Sequence, residues 1–269
     1  MTLSIIIVSY NARRDLENCL QSLAAAAPAV PHDITVVDNA SSDGSAAAVR
    51  AGWPEVRVIE LAANAGFSKA NNAGIRATAG DLILLLNSDT VVAAGAIDRL
   101  VERLRAHPDA AAAGPRLVDG AGRLEISWGW MISPLAEVRQ KVQGRLYERG
   151  FGPVERAVRR AAEADRYVDW VSGACLLVYR DDAEAVGLLD ERYFLYTEDV
   201  DFCAAIRRRG RRILFTPAAE VTHLRGRSRA SDPDRVNAAY RESHLAFYEK
   251  HHPGWTPILR WYLRLRRRR

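Results

Sequence analysis

Two clusters of acidic and amide side chains are the groups in this sequence that could do chemistry. Residues 196–201, Tyr-Thr-Glu-Asp-Val-Asp, place three carboxylates directly after an aromatic and apolar run, and residues 87–89, Asn-Ser-Asp, follow the apolar run 82–86. A carboxylate next to apolar surface is costly to ionise and can serve as a base. An acid at the end of a buried strand is well placed to bind a divalent cation. The two clusters therefore predict a general base and a metal site.

The elements that must position these clusters alternate between short apolar strands and alanine-rich helices. Strands are predicted over residues 3–8, 34–37, 56–59 and 82–86, with helices near 13–26, from about 42–45 onward, and near 69–77. This βαβ alternation predicts an α/β fold with a mostly parallel sheet covered by helices on both faces. In such folds, ligands bind beyond the carboxyl ends of the strands.

Polar residues follow each predicted strand at that edge. They are Ser9, Tyr10 and Asn11 after the first strand, Asp38, Asn39 and residues 40–44 after the second, Asn64 and Gly66 after the third, and Asn87, Ser88 and Asp89 after the fourth. Turn and cap chemistry explains any one of these groups taken alone. Their convergence on one edge favours a ligand site.

The second half of the chain has a different organisation. A turn is predicted around residues 119–122, and residues 126–170 carry Trp128, Trp130 and many arginines with weak periodicity, as in a mobile, partner-binding insert. A strand is predicted over 174–179, and helices over 181–186 and 199–209. The acids at 198–199 then start a helix, so a capping role is the alternative to a catalytic one.

Composition and charge restrict the class of protein. With 269 residues, of which 48% are hydrophobic and 26% charged, the chain can bury a sizeable core, and disorder is excluded for most of it. The net charge of +5 comes from five arginines in the last six residues. Tryptophan, tyrosine and leucine side chains interleave with basic residues over 255–266, which predicts an interfacial helix for an anionic membrane or, alternatively, a solvated helix end. No groove-reading element indicates a nucleic-acid partner.

The location predicted from sequence is cytoplasmic, with peripheral contact at the inner membrane face. The N-terminus lacks the basic and small-residue features of a signal peptide, and no run reaches the ~18 apolar residues that a membrane span requires. Cys19, Cys175 and Cys203 are widely spaced in apolar surroundings. We expect them to be reduced and packed.

Five ordered motifs resemble those of the family-2 inverting glycosyltransferases, and within that family the rhamnosyltransferase-like branch. The motifs are residues 4–11, 36–44, 64–74, 86–89 and 194–201. The resemblance covers residues 3–228, and it implies a GT-A domain over residues 1–228, with a nucleotide-binding half at 1–114 and an acceptor-binding half at 115–228. Residues 229–269 lie outside the resemblance and are predicted to form a basic, helical extension.

The resemblance also implies a nucleotide-sugar donor and a divalent cation, Mg²⁺ or Mn²⁺. Asp38 takes the role of contacting the pyrimidine base, and Asp89 that of the metal ligand, with His223 as a second ligand. Asn87 stands where the family often has another acid. The implied donor-binding residues are Ser9, Tyr10, Asn11, Asp38, Asn39, Asn64, Gly66, Phe67, Asn71, Asn72, Asn87 and Ser88. Arg225, Arg227 and Arg229 are further candidates for binding the diphosphate.

Inversion requires a base that removes a proton from the acceptor hydroxyl. Asp199 is the predicted base, with Glu198 as its catalytic neighbour. Asp201 is predicted as an orienting acid on the acceptor side. Trp170 and Gly173 match the segment that family members place beside the acceptor.

The reaction that the resemblance implies is transfer of L-rhamnose from dTDP-L-rhamnose to a hydroxyl of a bacterial cell-surface glycan or its lipid-linked precursor. Two alternatives remain open: another UDP- or GDP-hexose as donor, and a noncatalytic sugar-binding or scaffold subunit, which Asn87 favours. A nucleotidyltransferase is disfavoured because residues 10–13 lack its glycine-rich, arginine-containing loop. A dinucleotide dehydrogenase is excluded by the absence of a Gly-x-Gly-x-x-Gly turn there.

Overall fold

The computed structural model describes residues 1–224 and 233–266. Its first half contains β1 (Leu3–Ser9), α1 (Arg13–Ala25), β2 (His32–Asp38), α2 (Ser45–Gly52), β3 (Arg57–Glu60), α3 (Phe67–Arg76), β4 (Leu82–Asn87), β5 (Thr90–Val92), α4 (Ala96–Arg105) and β6 (Ala110–Val118). The βαβ alternation expected from the sequence is present from β1 to β4, after which β5 follows β4 without an intervening helix.

The second half mixes short strands with helices. It contains β7 (Leu124–Glu125), β8 (Trp128–Gly129), α5 (Pro134–Glu148), α6 (Gly152–Ala161), β9 (Arg166–Val168), β10 (Trp170–Val171), β11 (Cys175–Tyr179), α7 (Arg180–Ala185), α8 (Glu198–Arg208), β12 (Arg212–His223), α9 (Pro233–His251), a short 3₁₀ helix (Pro253–Trp255) and α10 (Thr256–Arg266). The segment expected to be an irregular insert is thus built largely from α5 and α6.

One large sheet organises these elements, with strand order β3-β2-β1-β4-β11-β6-β12-β5. Strands β3, β2, β1 and β4 are parallel, and β6 is parallel to β12, whereas β11 runs antiparallel to both β4 and β6. This mixed but mostly parallel α/β sheet confirms the predicted fold class. Its register sets Ser9 beside Asp38 and Val8 beside Asn87, so β1, β2 and β4 end together.

The core lies on both faces of the sheet because helices cover both. Successive strand side chains point to opposite faces. Ile5 and Ile7 of β1 accordingly pack in one cluster with α1 and α4, while Ile6 packs in the other with α3 and α8. Strands buried on both sides read as continuous apolar runs, and this is why the sequence revealed them.

A third, smaller cluster joins the C-terminal helices to the rest of the chain. Phe247 and Tyr248 of α9 pack with Tyr193 and Val200, and Leu259 of α10 packs against the same group. The C-terminal helical extension predicted from sequence is therefore present. Within residues 1–224 and 233–266, no helix has both the length and the apolar content needed to cross a membrane. The three cysteines are buried and unbridged, as expected.

Candidate active site

Three adjacent strands end in buried polar atoms. Ser9 Oγ, Asp38 Oδ1 and Asn87 Oδ1 have no hydrogen-bond partner among the residues that the structure describes. They lie at the ends of β1, β2 and β4, which neighbour one another in the sheet. Buried polar atoms are nearly always paired, because an unmade hydrogen bond costs about 1–3 kcal/mol. A polar ligand at this edge would supply the missing partners.

The loops after β1 and β2 are bonded to each other and hold Asp38 in place. Ser41 N–H donates to Asp38 Oδ2 at 2.9 Å, and Ser42 N–H donates to Asn11 Oδ1 at 2.8 Å. Asn11 N–H in turn donates to Ser41 Oγ at 2.9 Å. Tyr10 is 38% exposed beside these loops. The sequence-predicted residues of this region thus form one structural unit.

The loop after β3 is tied to the same unit through Asn39. Its Nδ2 donates to Asn64 Oδ1 at 3.0 Å, and its Oδ1 accepts from Ala65 N–H at 2.8 Å. Asn64 Oδ1 also accepts from Gly66 N–H at 3.1 Å. These bonds join the loops that follow β2 and β3, although 25 residues separate the two asparagines.

Gly66 brings this loop against the segment that carries the acids. Its φ is +86°, and a Cβ there would lie 2.5 Å from the carbonyl oxygen of Phe194. Phe67 N–H donates to that same oxygen at 2.7 Å. Only glycine permits this conformation and this approach. The predicted donor loop and the predicted catalytic segment are therefore in direct contact.

Asn71 and Asn72 have partners inside the protein. Asn71 Nδ2 donates to Phe67 O at 3.0 Å within α3. Asn72 is fully buried, donates to Leu189 O at 2.8 Å and Glu191 Oε1 at 3.0 Å, and accepts from Leu189 N–H at 3.1 Å. The Asn72 side chain thus fastens α3 to the segment before the acids instead of pointing to the ligand edge.

Glu198 and Asp199 follow a strained turn at the start of α8. Tyr196 and Thr197 have φ values of +70° and +64°, and two consecutive non-glycine residues in this region are rare and costly. Asp199 Oδ2 accepts from Gly173 N–H at 2.9 Å, and its Oδ1 accepts from Val200 N–H at 2.8 Å. Glu198 Oε2 is buried without a hydrogen-bond partner in the described part of the chain.

Burial raises the pKa of both acids. For Glu198 the pKa lies well above its usual range, because burial is reinforced by the neighbouring charge of Asp199. For Asp199 burial also raises the pKa, and the N–H donors of Gly173 and Val200 oppose that increase. The increase is larger for Glu198 than for Asp199, so Asp199 is the more readily ionised of the two acids. An ionised carboxylate of raised basicity is suited to accept a proton.

Gly173 and Ala174 connect Asp199 to the end of β4. While Gly173 N–H binds Asp199, Ala174 O accepts from Asn87 N–H at 2.9 Å. The ring of Phe67 also approaches Gly173, 3.5 Å from where a Cβ would stand. The predicted base, the donor loop and the strand end with Asn87 thus converge on one segment.

Asp201 faces away from this segment. Its oxygens are bound by Tyr193 Oη at 3.2 Å, Lys250 Nζ at 2.8 Å and His251 Nε2 at 2.6 Å, and it is 2% exposed. Burial raises its pKa, but the bonds to His251 and Lys250 prevail and lower it. The predicted contact of Asp201 with the acceptor does not match this position, whereas an orienting role for α8 does.

Asp89 and His223 meet because β5 pairs with β12, which sets His223 opposite Thr90. His223 Nε2 lies 3.3 Å from Asp89 Oδ1 and 3.4 Å from Asn87 Nδ2. Its Nδ1 lies 3.1 Å from Glu125 Oε2. Burial opposes protonation of His223, but the bonds to Asp89 and Glu125 prevail and raise its pKa to about 9.

This arrangement fits a divalent cation with two protein ligands. Asp89 and His223 Nε2 are both within reach of one position, Glu125 orients the imidazole through Nδ1, and Asn87 Oδ1 lies unpaired beside them within the described residues. No group of three or more His, Cys, Asp or Glu ligands occurs in residues 1–224 and 233–266. Bound diphosphate oxygens would have to complete the coordination.

A cleft of about 1250 Å³ extends from His223 to α5 and α6. Its wall includes Trp128, Trp130 and Trp170. Trp170 Nε1–H donates to Trp130 O at 2.9 Å, and its ring packs against Gly129. The second half of the chain therefore contributes an aromatic-lined cleft that begins at the candidate metal site.

Sequence reasoning missed Glu125 and the residues of α9 that bind the catalytic segment. Glu125 follows a turn and carries no motif of its own. Ser243 Oγ–H donates to Leu195 O at 2.8 Å, and Lys250 and His251 bind Asp201. No local signal identifies such partners. Arg225, Arg227, Arg229, the predicted boundary at 228 and the last three arginines lie outside the described residues.

Comparison with known proteins gives a consistent result. Residues 4–166 match the family model "Glycosyl transferase family 2". The N-acetylglucosaminyl-diphospho-decaprenol L-rhamnosyltransferase of Mycobacterium tuberculosis is 33% identical over 97% of this chain and 89% of its own length. The low-salt glycan biosynthesis hexosyltransferase Agl10 of Haloferax volcanii is 26% identical over 89% of this chain and 71% of its own.

Solved structures show the same fold. The mannosyltransferase PcManGT of Pyrobaculum calidifontis, in complex with GDP-Man and Mn²⁺, superposes with a TM-score of 0.63 and 20% identity, over 96% of this chain and 68% of that one. GalNAc-T7 with UDP, GalNAc and Mn²⁺ gives 0.61 and 18% identity, over 83% and 43%. The chain belongs to glycosyl transferase family 2 and is a glycosyltransferase of GT-A fold that acts on a nucleotide sugar.

Proposed function

We propose that this chain transfers L-rhamnose from dTDP-L-rhamnose to a hydroxyl of a polyprenyl-diphosphate-linked N-acetylglucosamine, with inversion at the anomeric carbon. The donor sugar and the acceptor class come from the 33% identical relative, whose name states that it acts as an L-rhamnosyltransferase on such a lipid. The observation that supports catalysis most directly is Asp199, which is bonded to Gly173 and adjoins the donor loop.

The unpaired atoms at the strand ends support a nucleotide site there. Asp38 Oδ1 and Ser9 Oγ are buried and lack partners within the described residues, so hydrogen-bond donors and acceptors of a pyrimidine base would satisfy them. Tyr10 is exposed next to them and can cover the base. Asn39, after β2, and the segment Asn64 to Phe67, after β3, are the residues that would face the ribose and sugar.

In the proposed reaction Asp199 acts as general base. The acceptor oxygen attacks the anomeric carbon as Asp199 takes the hydroxyl proton, and the bond from that carbon to the diphosphate oxygen breaks. The nucleoside diphosphate leaves with the electron pair. Attack from the face opposite the leaving group gives inversion. Glu198 keeps its proton and limits the negative charge at the site to one carboxylate.

Asp89 and His223 are the proposed holders of Mg²⁺ or Mn²⁺, with Glu125 orienting His223. A bound divalent cation supplies neutralisation of the charge on the departing diphosphate. His223 must release its Nε2 proton to bind metal, and the Nδ1 bond to Glu125 keeps the ring oriented when it does.

The aromatic-lined cleft, whose wall includes Trp170, is the proposed acceptor site, and Gly173 contacts the proposed base. A basic, aromatic C-terminus supports peripheral contact with the membrane that holds a lipid-linked acceptor. Trp255, Ile258 and Trp261 are each at least half exposed at or near α10. Such side chains favour the membrane interface.

A thermal-shift panel of dTDP, UDP and GDP with their sugars, each with and without Mg²⁺ or Mn²⁺, tests the donor site. We expect metal-dependent stabilisation by dTDP-L-rhamnose, lost in Asp38→Ala and in Asp89→Ala. Asp33→Ala is a matched control, because Asp33 lies on the same strand as Asp38 but near its opposite end. Stabilisation by a UDP- or GDP-hexose instead would replace the donor assignment.

The noncatalytic alternative predicts a different outcome. Asn87 in place of an acid favours it, and it predicts that donor binds but no nucleoside diphosphate is released when acceptor is added. A coupled assay for dTDP release with N-acetylglucosaminyl-diphospho-polyprenol decides between the two. Binding without any release would overturn the catalytic proposal.

A further inference from the structure

Helix α5 carries its apolar residues on the outside. Leu135, Val138 and Val142 are 85%, 63% and 50% exposed, and no residue of α5 is buried. Their spacing of three and four residues places them on one face of the helix. An amphipathic helix of a globular domain normally turns such a stripe to the core, so this stripe has the reverse orientation.

The other two faces of α5 have partners. Glu137 accepts from Tyr248 Oη–H at 2.8 Å and contacts His244 Nε2 at 2.6 Å, so this face packs on α9. Gln140 and Tyr147 lie on the face that lines the cleft. The apolar stripe therefore points away from both the cleft and α9.

We propose that α5 is a membrane-docking helix whose stripe, Leu135, Val138 and Val142, inserts among the acyl chains of a bilayer rich in anionic lipid. Helices that lie in the interface bury an apolar face and keep a basic border at the headgroups. The proposal extends the predicted membrane contact from the C-terminus to a second helix.

The charges around the stripe match an anionic surface. Arg145 lies three residues from Val142 on one border of the stripe and is exposed, and Arg149 is exposed at the C-terminal end of the helix. Arg139, on the other border, lies over the ring of Trp130 at 5.3 Å and lines the cleft. The acidic residues of α5, Glu137 and Glu148, lie away from the stripe. Arginine side chains at such borders reach lipid phosphates while their stems cover apolar surface.

A second apolar helix begins close to α5. His252 Nε2, immediately before the 3₁₀ helix that leads into α10, contacts Ile132 O at 2.7 Å. Ile132 and Leu259 of α10 also pack on the same small cluster. Two neighbouring helices with exposed apolar and basic side chains favour a bilayer over a second copy of this chain, which would bring like charges together.

Docking through α5 would explain how the cleft receives its substrate. The helix forms part of the cleft wall, so seating its outer face in the headgroup region holds the cleft at the height of a lipid-linked sugar. The statement that the acceptor is a lipid-linked sugar rests on the proposed function. Membrane binding itself can be measured without donor, acceptor or turnover.

Flotation with vesicles of phosphatidylglycerol and phosphatidylcholine tests the stripe in the full-length protein. We expect the triple variant Leu135→Gln, Val138→Gln, Val142→Gln to lose about tenfold or more of its vesicle affinity, because its apolar contact area is removed. Its melting temperature and nucleotide binding should be unchanged, since all three side chains are exposed. Affinity equal to that of the parent would overturn the proposal.

A matched pair of charge variants tests the border. Arg145→Gln with Arg149→Gln should weaken flotation with anionic vesicles more than Arg14→Gln with Arg105→Gln, which removes the same charge from exposed sites outside α5. Equal weakening in both pairs would mean a nonspecific charge effect and would contradict docking by α5. If the triple variant changes only self-association in sedimentation, the stripe is an interface between copies.

A fluorescent probe reports insertion directly. Cys19, Cys175 and Cys203 are buried, so a surface thiol at Val138→Cys can be labelled selectively with an environment-sensitive dye. We expect increased, blue-shifted emission when anionic vesicles are added, and no change for the same dye at Glu102→Cys, which is exposed on α4. Unchanged emission at position 138 on vesicle-bound protein would exclude insertion of this face.

Discussion

The first turn of α8 carries three acids with opposite surroundings. Asp199 accepts from Gly173 N–H, Glu198 is buried beside it, neither has a cation against it in the described residues, and burial raises the pKa of each. Asp201, two residues later, is hydrogen-bonded to Lys250 and His251, and its pKa is lowered. The same residue type therefore serves different purposes on the two sides of one helix.

The two sides of α8 thus separate the acids proposed for catalysis from the acid that holds the helix in place. On one side, acids without cationic partners retain the basicity that a proton acceptor requires. On the other side, Asp201 binds α8 to α9, which also donates from Ser243 to Leu195 and places Tyr240 edge-on against Tyr196. The C-terminal helices thus help to hold the strained turn that presents the candidate base.

The largest expected effect comes from Asp199→Asn. The amide keeps the size of the side chain, and its one oxygen can still accept from Gly173 N–H, but it leaves Val200 N–H without its acceptor and cannot take a proton. Turnover should fall by ~10²–10⁴-fold, the usual contribution of a general base, while donor binding is retained. A radiolabelled-sugar transfer assay, with calorimetry for donor binding, measures both. Undiminished turnover would remove Asp199 from the mechanism.

Asp201→Asn should act on stability. The substitution weakens charge-assisted hydrogen bonds from Lys250 and His251, which should lower the free energy of unfolding by about 2 kcal/mol in urea titrations at pH 7. Asp190→Asn is the control, because Asp190 also binds Lys250 but its side chain is more exposed, 22% against 2%. We expect a smaller loss there.

The pH dependence of the Asp201 effect has a definite sign. Its pKa is lowered in the folded protein, so its contribution to stability is present above the unfolded pKa of about 3.9 and is lost as the pH falls through the folded value. The parent and Asp201→Asn should therefore converge in stability below about pH 4. A constant difference in the free energy of unfolding down to pH 3 would show that Asp201 and its partners Lys250 and His251 act through packing alone.

Ser243→Ala tests the second attachment of the catalytic segment. Losing the hydrogen bond to Leu195 O should cost about 1 kcal/mol and speed amide exchange across residues 194–197. Ser22→Ala is a matched control, since the Ser22 hydroxyl bridges Cys19 and Val92 and makes no contact with α9. Ser22→Ala should lower the free energy of unfolding by a similar amount without changing amide exchange in residues 194–197.

The sequence alone was sufficient to predict the parallel half of the fold and the polar edge of the sheet. Strands β1 and β4 are buried on both faces, so they appear as apolar runs, and the residues after them are constrained to the ligand edge. The amino-acid pattern alone therefore places Asp38, Asn87 and Asp89 at that edge. Their position depends on local pattern and on a general rule of topology.

Long-range pairings could not be predicted in this way. Glu125 reaches His223 because the β6–β7 hairpin pairs Leu117 with Glu125, and the two partners are 98 residues apart. The Lys250 contact with Asp201 spans 49 residues. Helix α5 was not predicted for another reason. It buries no residue, so it lacks the core-facing apolar pattern by which helices are recognised in a sequence.

The smallest effect on turnover is expected for Glu198→Gln. Burial and the charge of Asp199 raise the Glu198 pKa well above its usual range, so the native side chain is neutral and glutamine reproduces its shape. Because only the unfolded state ionises above about pH 4.3, the parent loses stability as the pH rises from there towards the folded pKa. The variant has no such group and should gain stability relative to the parent between about pH 5 and pH 8.

Urea titrations at these two pH values, with exposed Glu102→Gln on α4 as the control, measure that gain. Parallel stability profiles for the parent and Glu198→Gln would show that Glu198 is ionised in the fold. A loss of turnover as large as that of Asp199→Asn would be more decisive, since a neutral carboxyl cannot accept the acceptor's proton. In that case Glu198 would be the base, and Asp199, held by Gly173 and Val200, would be the residue that raises its pKa.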